Sequence, residues 1–222
     1  MNVNEMKSIP TRRRSQAERS EATRAALVRA ARPLFAKRGY AGVGTEEIVR
    51  ATGVTRGALY HQFPGGKRDL FEAVYQQIEA NVTEKITAAA LGAPDPLAAM
   101  RAGADMFLDV CLEPEVQRVV LLDAPAVLGW ERWREIAADH GLGMIEAAVQ
   151  AAIEAGQFAE QPAKPLAHLL MGTLDEAAML VARSPDPKRT KAEVIATLNG
   201  ILDGLARMGE TKVQAGAPPG AV

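Results

Sequence analysis

Between residues 53 and 71 the chain reads GVTRGALYHQFPGGKRDLF, which gathers Thr55, Arg56, Tyr60, His61 and Lys67 around a short apolar frame. Hydroxyl, guanidinium, imidazole and ammonium groups at this density suit three tasks: cradling a nucleotide phosphate, running acid–base chemistry, or gripping a nucleic-acid backbone. The phosphate loop fails on spacing. A G-x-x-x-x-G-K-[ST] loop ending at Lys67 would require glycine at 61 and Ser or Thr at 68, where the chain has His61 and Arg68. Gly39, Gly42 and Gly44 follow a helical pattern rather than a strand, so a dinucleotide fingerprint is absent as well.

Acid–base or metal chemistry is equally poorly served. His61 is far in sequence from His140 and His168, with no paired ligand spacing, and no nucleophile, base and orienting group can be picked out together. Trp130 and Trp133 lie one helical turn apart, a spacing that more often reports packing than reactivity. The single cysteine, Cys111, excludes an intramolecular disulfide framework. With no basic activator near it in sequence, it is a poor redox sensor. No cofactor or metal is expected, and an all-helical enzyme with an added basic head is disfavoured.

The surrounding elements decide in favour of nucleic acid. Residues 1–68 carry 14 Lys+Arg against 5 Asp+Glu, whereas 69–222 carry 12 against 22, so a net charge of -1 conceals a basic N-terminal stretch and an acidic remainder. Alanine and leucine dominate and aromatics are 5%, which favours helix over sheet. A first helix is expected over 20–38, ended by Gly39, with Pro33 introducing a kink or a broken turn. Thr45 is the expected N-cap of a short helix over 46–52. Gly53 and Val54 break it, and Thr55 caps a second short helix through Gln62. Two short helices around a tight glycine turn form a helix-turn-helix unit. A longer helix starting near Lys67 carries Leu70, Phe71, Val74, Ile78 and Val82 at helical spacing.

Such a unit enters the major groove N-terminus first, which brings Thr55, Arg56 and Ala58 nearest to base edges. Gly57 leaves room for close approach. Arg56 can take guanine O6 and N7 together, while Tyr60, His61 and Lys67 suit phosphates. Tyr60 could equally brace the short helix against its neighbour.

The residues TEEIVRATGVTRGALYHQFPGGKRDLF, preceded by a helix ending FAKRGY, resemble the DNA-binding domain of the TetR family of bacterial repressors over roughly 24–82. The resemblance implies DNA contacts at Thr45, Thr55, Arg56, Tyr60, His61 and Lys67. Pro33, Thr52 and Gln62 depart from the usual pattern, and the PGGK connector is one residue longer than the commonest form. It further implies an all-α chain: a flexible basic arm over 1–19, a three-helix helix-turn-helix DNA-binding domain over 20–66, a helical ligand-binding and dimerisation domain over 67–208, and a disordered tail over 209–222.

In the second half, helices are expected at 97–112, 115–123, 126–156, 165–183 and 190–208. By resemblance, the last two form a four-helix bundle with a second copy, and their apolar stripes agree with this. Resemblance also implies a small apolar or amphipathic effector, with Met100, Met106, Phe107, Trp130, Trp133, Met144 and Phe158 as candidate lining and Asp105 or His140 as a polar anchor. The chain is therefore expected to be a cytoplasmic, dimeric repressor released from a palindromic DNA operator by such a ligand. An activator or constitutive regulator without an inducer is the alternative. No apolar run approaches the length of a membrane helix.

Overall fold

The computed structural model describes residues 15–215, and every regular element among them is helical. The first helix, α1 (Gln16–Arg38), starts earlier than expected because Ser15 and Glu18 form a reciprocal capping box: Glu18 N donates to Ser15 Oγ at 3.1 Å and Ser15 N to Glu18 Oε2 at 2.7 Å. Thus the expected flexible arm loses residues 16–19 to helix and Ser15 to its cap, while 1–14 lie outside the described residues. Pro33 does not break α1. It stands on the exposed side of the helix, as does Arg29, whose carbonyl loses its partner and remains accessible to water.

Gly39 ends α1 with φ 69, and the Arg118 guanidinium lies directly over it: a Cβ there would fall 2.1 Å from Nη2. Any other residue would meet a strained backbone and would have to displace the Arg118 guanidinium. The helix α2 (Thr45–Thr52) begins one residue before expectation, so Gly44 rather than Thr45 is its N-cap. Gly53 then turns left-handed at φ 67. Helix α3 (Arg56–Gln62) is capped as expected, Thr55 Oγ1 accepting from Ala58 N at 3.2 Å.

Helix α4 (Lys67–Leu91) runs from this head into the rest of the molecule. Leu70, Phe71, Val74, Tyr75, Ile78 and Val82 are all buried along it. Phe71 meets Phe35 and Tyr40 edge to face, at centroid distances of 5.2 and 5.1 Å. One apolar cluster extends from Leu27, Phe35, Ile48, Leu59 and Phe63 through α4 to Leu108, Val120, Trp133 and Ile136, so head and body share a core.

The body continues with α5 (Pro96–Val110), a π-helical segment (Val116–Asp123), α6 (Ala124–Leu128), α7 (Trp130–Glu154), α8 (Ala163–Arg183) and α9 (Pro187–Ala215). The single helix expected over 126–156 is divided by Gly129, whose φ of 87 interrupts it. Likewise the stretch 115–123 is helical but wound as π rather than α. Helix α9 accepts Pro187 at its first position, where no amide partner is lost, and extends to Ala215. The expected tail from 209 is therefore helical as far as 215, and 216–222 lie outside the described residues. Among the described residues no helix is long and apolar enough to cross a membrane.

Candidate functional site

Helix α3 is held by one buried side chain, Leu59, and turns the remainder of its surface outward. Thr55, Arg56, Gly57, Tyr60 and His61 are exposed, Ala58 and Thr45 partly so. The guanidinium of Arg56 sits 5.8 Å from the Tyr60 ring centroid and 3.8 Å from Glu46 Oε1. Both members of that ion pair are well exposed, so it holds Arg56 only weakly and leaves its donor fork free for another acceptor. Tyr60 also lies over Gly66, where a Cβ would come within 3.0 Å of Cε1. Its hydroxyl is free to face solvent while its ring braces the connector.

Gln62, by contrast, is turned inward. Its side-chain amide donates to Ser20 Oγ at 2.7 Å; separately, its backbone carbonyl accepts from Arg24 Nη1 at 3.2 Å, with the Arg24 guanidinium 4.4 Å above the Phe63 ring. Of the two residues preceding Phe63, His61 is the one presented outward. Lys67 is also committed within the protein. Its ammonium donates to the carbonyls of Tyr40 and Val43, each at 3.0 Å, and rests 4.0 Å from the Tyr40 ring centroid. The expected phosphate-reaching side chain is a bolt between α4 and the connector leading to α2, with a single ammonium N–H remaining.

A second feature lies in the body, where α4, α5, the π segment, α7, α8 and α9 enclose a cavity of about 160 Å³. Met100, Phe107, Trp133 and Met144 line it, as the sequence led one to expect. Five other expected ligand residues do not. Trp130 is 59% exposed at the start of α7, its ring tilted against that of Trp133. Asp105 pairs with Lys191 at 2.9 Å on the side of α5 that meets α9. Met106 packs into the main core. His140 is not among the lining residues; its backbone carbonyl accepts from Thr83 Oγ1 at 3.5 Å. Phe158 is buried elsewhere, in a smaller cluster with Val149, Ala152, Leu170 and Leu202.

The polar groups that do line the cavity are Glu79, Thr83, Cys111 and Asp175. Asp175 is ion-paired with Arg134. Cys111 is buried, and desolvation together with the nearby Glu79 and Glu113 charges pushes its thiol well above the usual range, which makes it inert rather than a sensor. Glu79 is raised to about 7 by burial, opposed by a hydrogen bond with Tyr75. The Tyr75 hydroxyl donates its one proton to the Trp133 carbonyl at 3.1 Å, so a protonated Glu79 can donate to the Tyr75 oxygen whereas an ionised one must compete for that proton. The sequence did carry a signal for Glu79: an acid four residues after Tyr75, beside Ile78 and Val82 in the apolar stripe of α4.

Residues 27–74 match the family described as bacterial regulatory proteins of the tetR family, and residues 97–205 match the tetracyclin repressor-like C-terminal domain. A TetR-family transcriptional regulator from Pectobacterium atrosepticum, solved by crystallography, is 36% identical; the match covers 87% of this chain and 98% of that one, with a TM-score of 0.77. The TetC protein of transposon Tn10 from Escherichia coli is 27% identical over 84% of this chain and 94% of its own length. The transcriptional regulator CymR of Pseudomonas putida is 38% identical across 33% of this chain and 36% of its own.

Glu79 gives stability a measurable pH dependence. Between its ordinary value near 4.5 and about 7, the folded chain holds a proton that the unfolded chain has released. Stability contributed in this way is complete below the lower value and is lost as pH rises through the upper one, by on the order of 1 to 3 kcal/mol. Thermal melts from about pH 5 to pH 8 should show this decline in the natural chain and its removal in Glu79→Gln.

Proposed function

The chain belongs to the TetR family of bacterial transcriptional regulators, and we propose that it acts as a dimeric repressor released from a palindromic operator by a small, largely apolar ligand. Residues 20–66 serve as the DNA head and 67–208 as the ligand-binding and dimerisation body. The observation that carries the DNA assignment is the outward face of α3: Thr55, Arg56, Tyr60 and His61 are solvent-facing on a helix fixed by fully buried Leu59, within an N-terminal stretch, residues 1–68, that bears a large excess of positive charge. Arg56 reads a base, Tyr60 and His61 take phosphates, and Thr45 approaches the backbone from the start of α2. Lys67 contributes chiefly by holding the start of α4 in place.

Dimerisation uses α8 and α9, over 165–183 and 190–208. Leu169 is 70% exposed and Leu180 55%, and Ile201 and Met208 are also exposed. Large apolar side chains open to water along two adjacent helices favour a self-complementary contact, which would bring two copies of α3 to successive half-sites.

The π segment couples the two functions. Val116, Val120 and Leu121 line the cavity. From the same segment and the residue before it, Glu115 takes Arg32 of α1 at 2.8 and 2.7 Å, and Asp123 accepts from Tyr40 N at 2.6 Å. A ligand that displaces the lining side chains thereby acts on contacts that fix the head.

Three measurements test the parts separately. In anisotropy titrations on operator fragments found by footprinting the neighbouring intergenic DNA, binding should weaken steeply with salt. Tyr60→Ala should weaken it on all sequences, and Arg56→Ala should relax discrimination at one base pair by about 1 to 3 kcal/mol. Unchanged binding by both variants would remove α3 from the interface. Leu180→Glu should shift the chain from dimer to monomer in sedimentation; a variant that still sediments as a dimer would place the interface elsewhere. Asp123→Ala, which lowers the cost of releasing the π segment, should tighten ligand binding to the DNA-free chain while reducing ligand-driven release from DNA, an outcome read by comparing calorimetry with anisotropy.

A further inference from the structure

The cavity wall has an uneven chemistry. It is apolar over most of its surface, two carboxylates face it, and no lysine, arginine or histidine is among its lining residues. The carboxylates are not equivalent. Asp175 has its counter-charge in Arg134, whereas Glu79 has no cationic partner among the described residues and has the Tyr75 hydroxyl against it. An unpaired carboxyl in an apolar enclosure is costly, and that cost is lowered most by a donor that brings a positive charge. An anionic ligand would add a second negative charge without a cation to meet it. A neutral alcohol could supply one hydrogen bond and no charge.

From this arrangement we infer that the effector is a compact apolar molecule bearing a protonated amine, with Glu79 as its counter-ion and the Met100, Phe107 and Met144 side chains around its hydrocarbon body. This rests on the reading of the cavity as the ligand site. A volume of about 160 Å³ is close to that of engineered apolar cavities that admit a single benzene ring, so the body of the ligand is of that order. Because Glu79 projects from α4, the charge contact forms on the helix that begins in the DNA head.

Binding of such an amine draws Glu79 into its ionised form, releasing its proton to solvent where the site is protonated beforehand. The titratable groups facing Glu79 are Tyr75 on its own helix, Cys111 following α5, and the Asp175–Arg134 pair from α8 and α7. Tyr75 and Cys111 are both driven to their neutral forms, and Asp175 is already paired. The pH response near neutrality therefore belongs to Glu79, whose carboxyl titrates at about 7.

The test uses the full chain and calorimetry with two matched series: benzylamine, benzyl alcohol and benzoate, then n-hexylamine, n-hexanol and hexanoate. The amines should bind at least about tenfold more tightly than either congener of the same body. Their affinity should rise between about pH 6 and pH 8, and Glu79→Gln should abolish both the preference and the rise. If an alcohol or carboxylate binds as tightly as its amine, the amine assignment is overturned while the cavity remains the ligand site. If no compound in either series binds, both are overturned. The ordering in the natural chain decides the matter by itself should Glu79→Gln not fold.

Discussion

The edge-to-face contact of Phe71 with Phe35 and Tyr40 fixes where α4 begins, and the position of every functional group in the molecule follows from that helix. On its head side, Lys67 crosses to the Tyr40 and Val43 carbonyls and sets the connector that leads into α2. On its body side, Tyr75 ties to the Trp133 carbonyl and Glu79 faces the cavity. A 25-residue helix spans about 37 Å, yet its buried stripe is continuous from Leu70 to Val82. Head and body therefore share apolar packing along α4. Their shared core is a packed solid, which transmits a shift at one end as a discrete rearrangement at the other rather than absorbing it.

The head was legible in the sequence because its constraints are local. A glycine that must turn left-handed at 53, a threonine that caps at 55 and the buried Leu59 on an otherwise outward-facing helix each act within a few residues. What the sequence hid there depends on partners distant in the chain. The Gln62 side chain turns inward because Ser20 Oγ receives it, and Lys67 because two carbonyls near residue 40 do. Neither choice follows from the residue type: both side chains suit a phosphate equally well until the fold supplies a nearer acceptor.

In the body the balance reverses. The helices themselves could be read from their apolar stripes, but which stripe faced the cavity could not. Met100 and Phe107 on α5 point inward while Asp105, two positions from Phe107, points to Lys191 on α9. A helix turns about 100° per residue, and one apolar face does not say which of several surrounding helices it meets. Glu79 was overlooked for a related reason: an acid within a stripe reads as a solvated edge unless the opposing surface is known to be α5, α7 and α8.

The π winding of 116–123 is where these strands of argument meet. A π turn holds more residues than an α turn and widens the helix, so side chains such as Val116, Val120 and Leu121 can reach the cavity while Glu115, Arg118 and Asp123 reach α1 and its C-terminal turn. An α-helix of the same length would rotate part of one set away from its target. The segment's carboxylates are also met by strong partners: the Arg32 fork holds Glu115 through two bonds, and Asp123 holds both a backbone amide and Arg118. Such contacts are directional and are lost over small displacements. A ligand able to move the π segment must therefore supply the difference in free energy between the held and released arrangements, and by reciprocity DNA that favours the held arrangement weakens the ligand by the same factor.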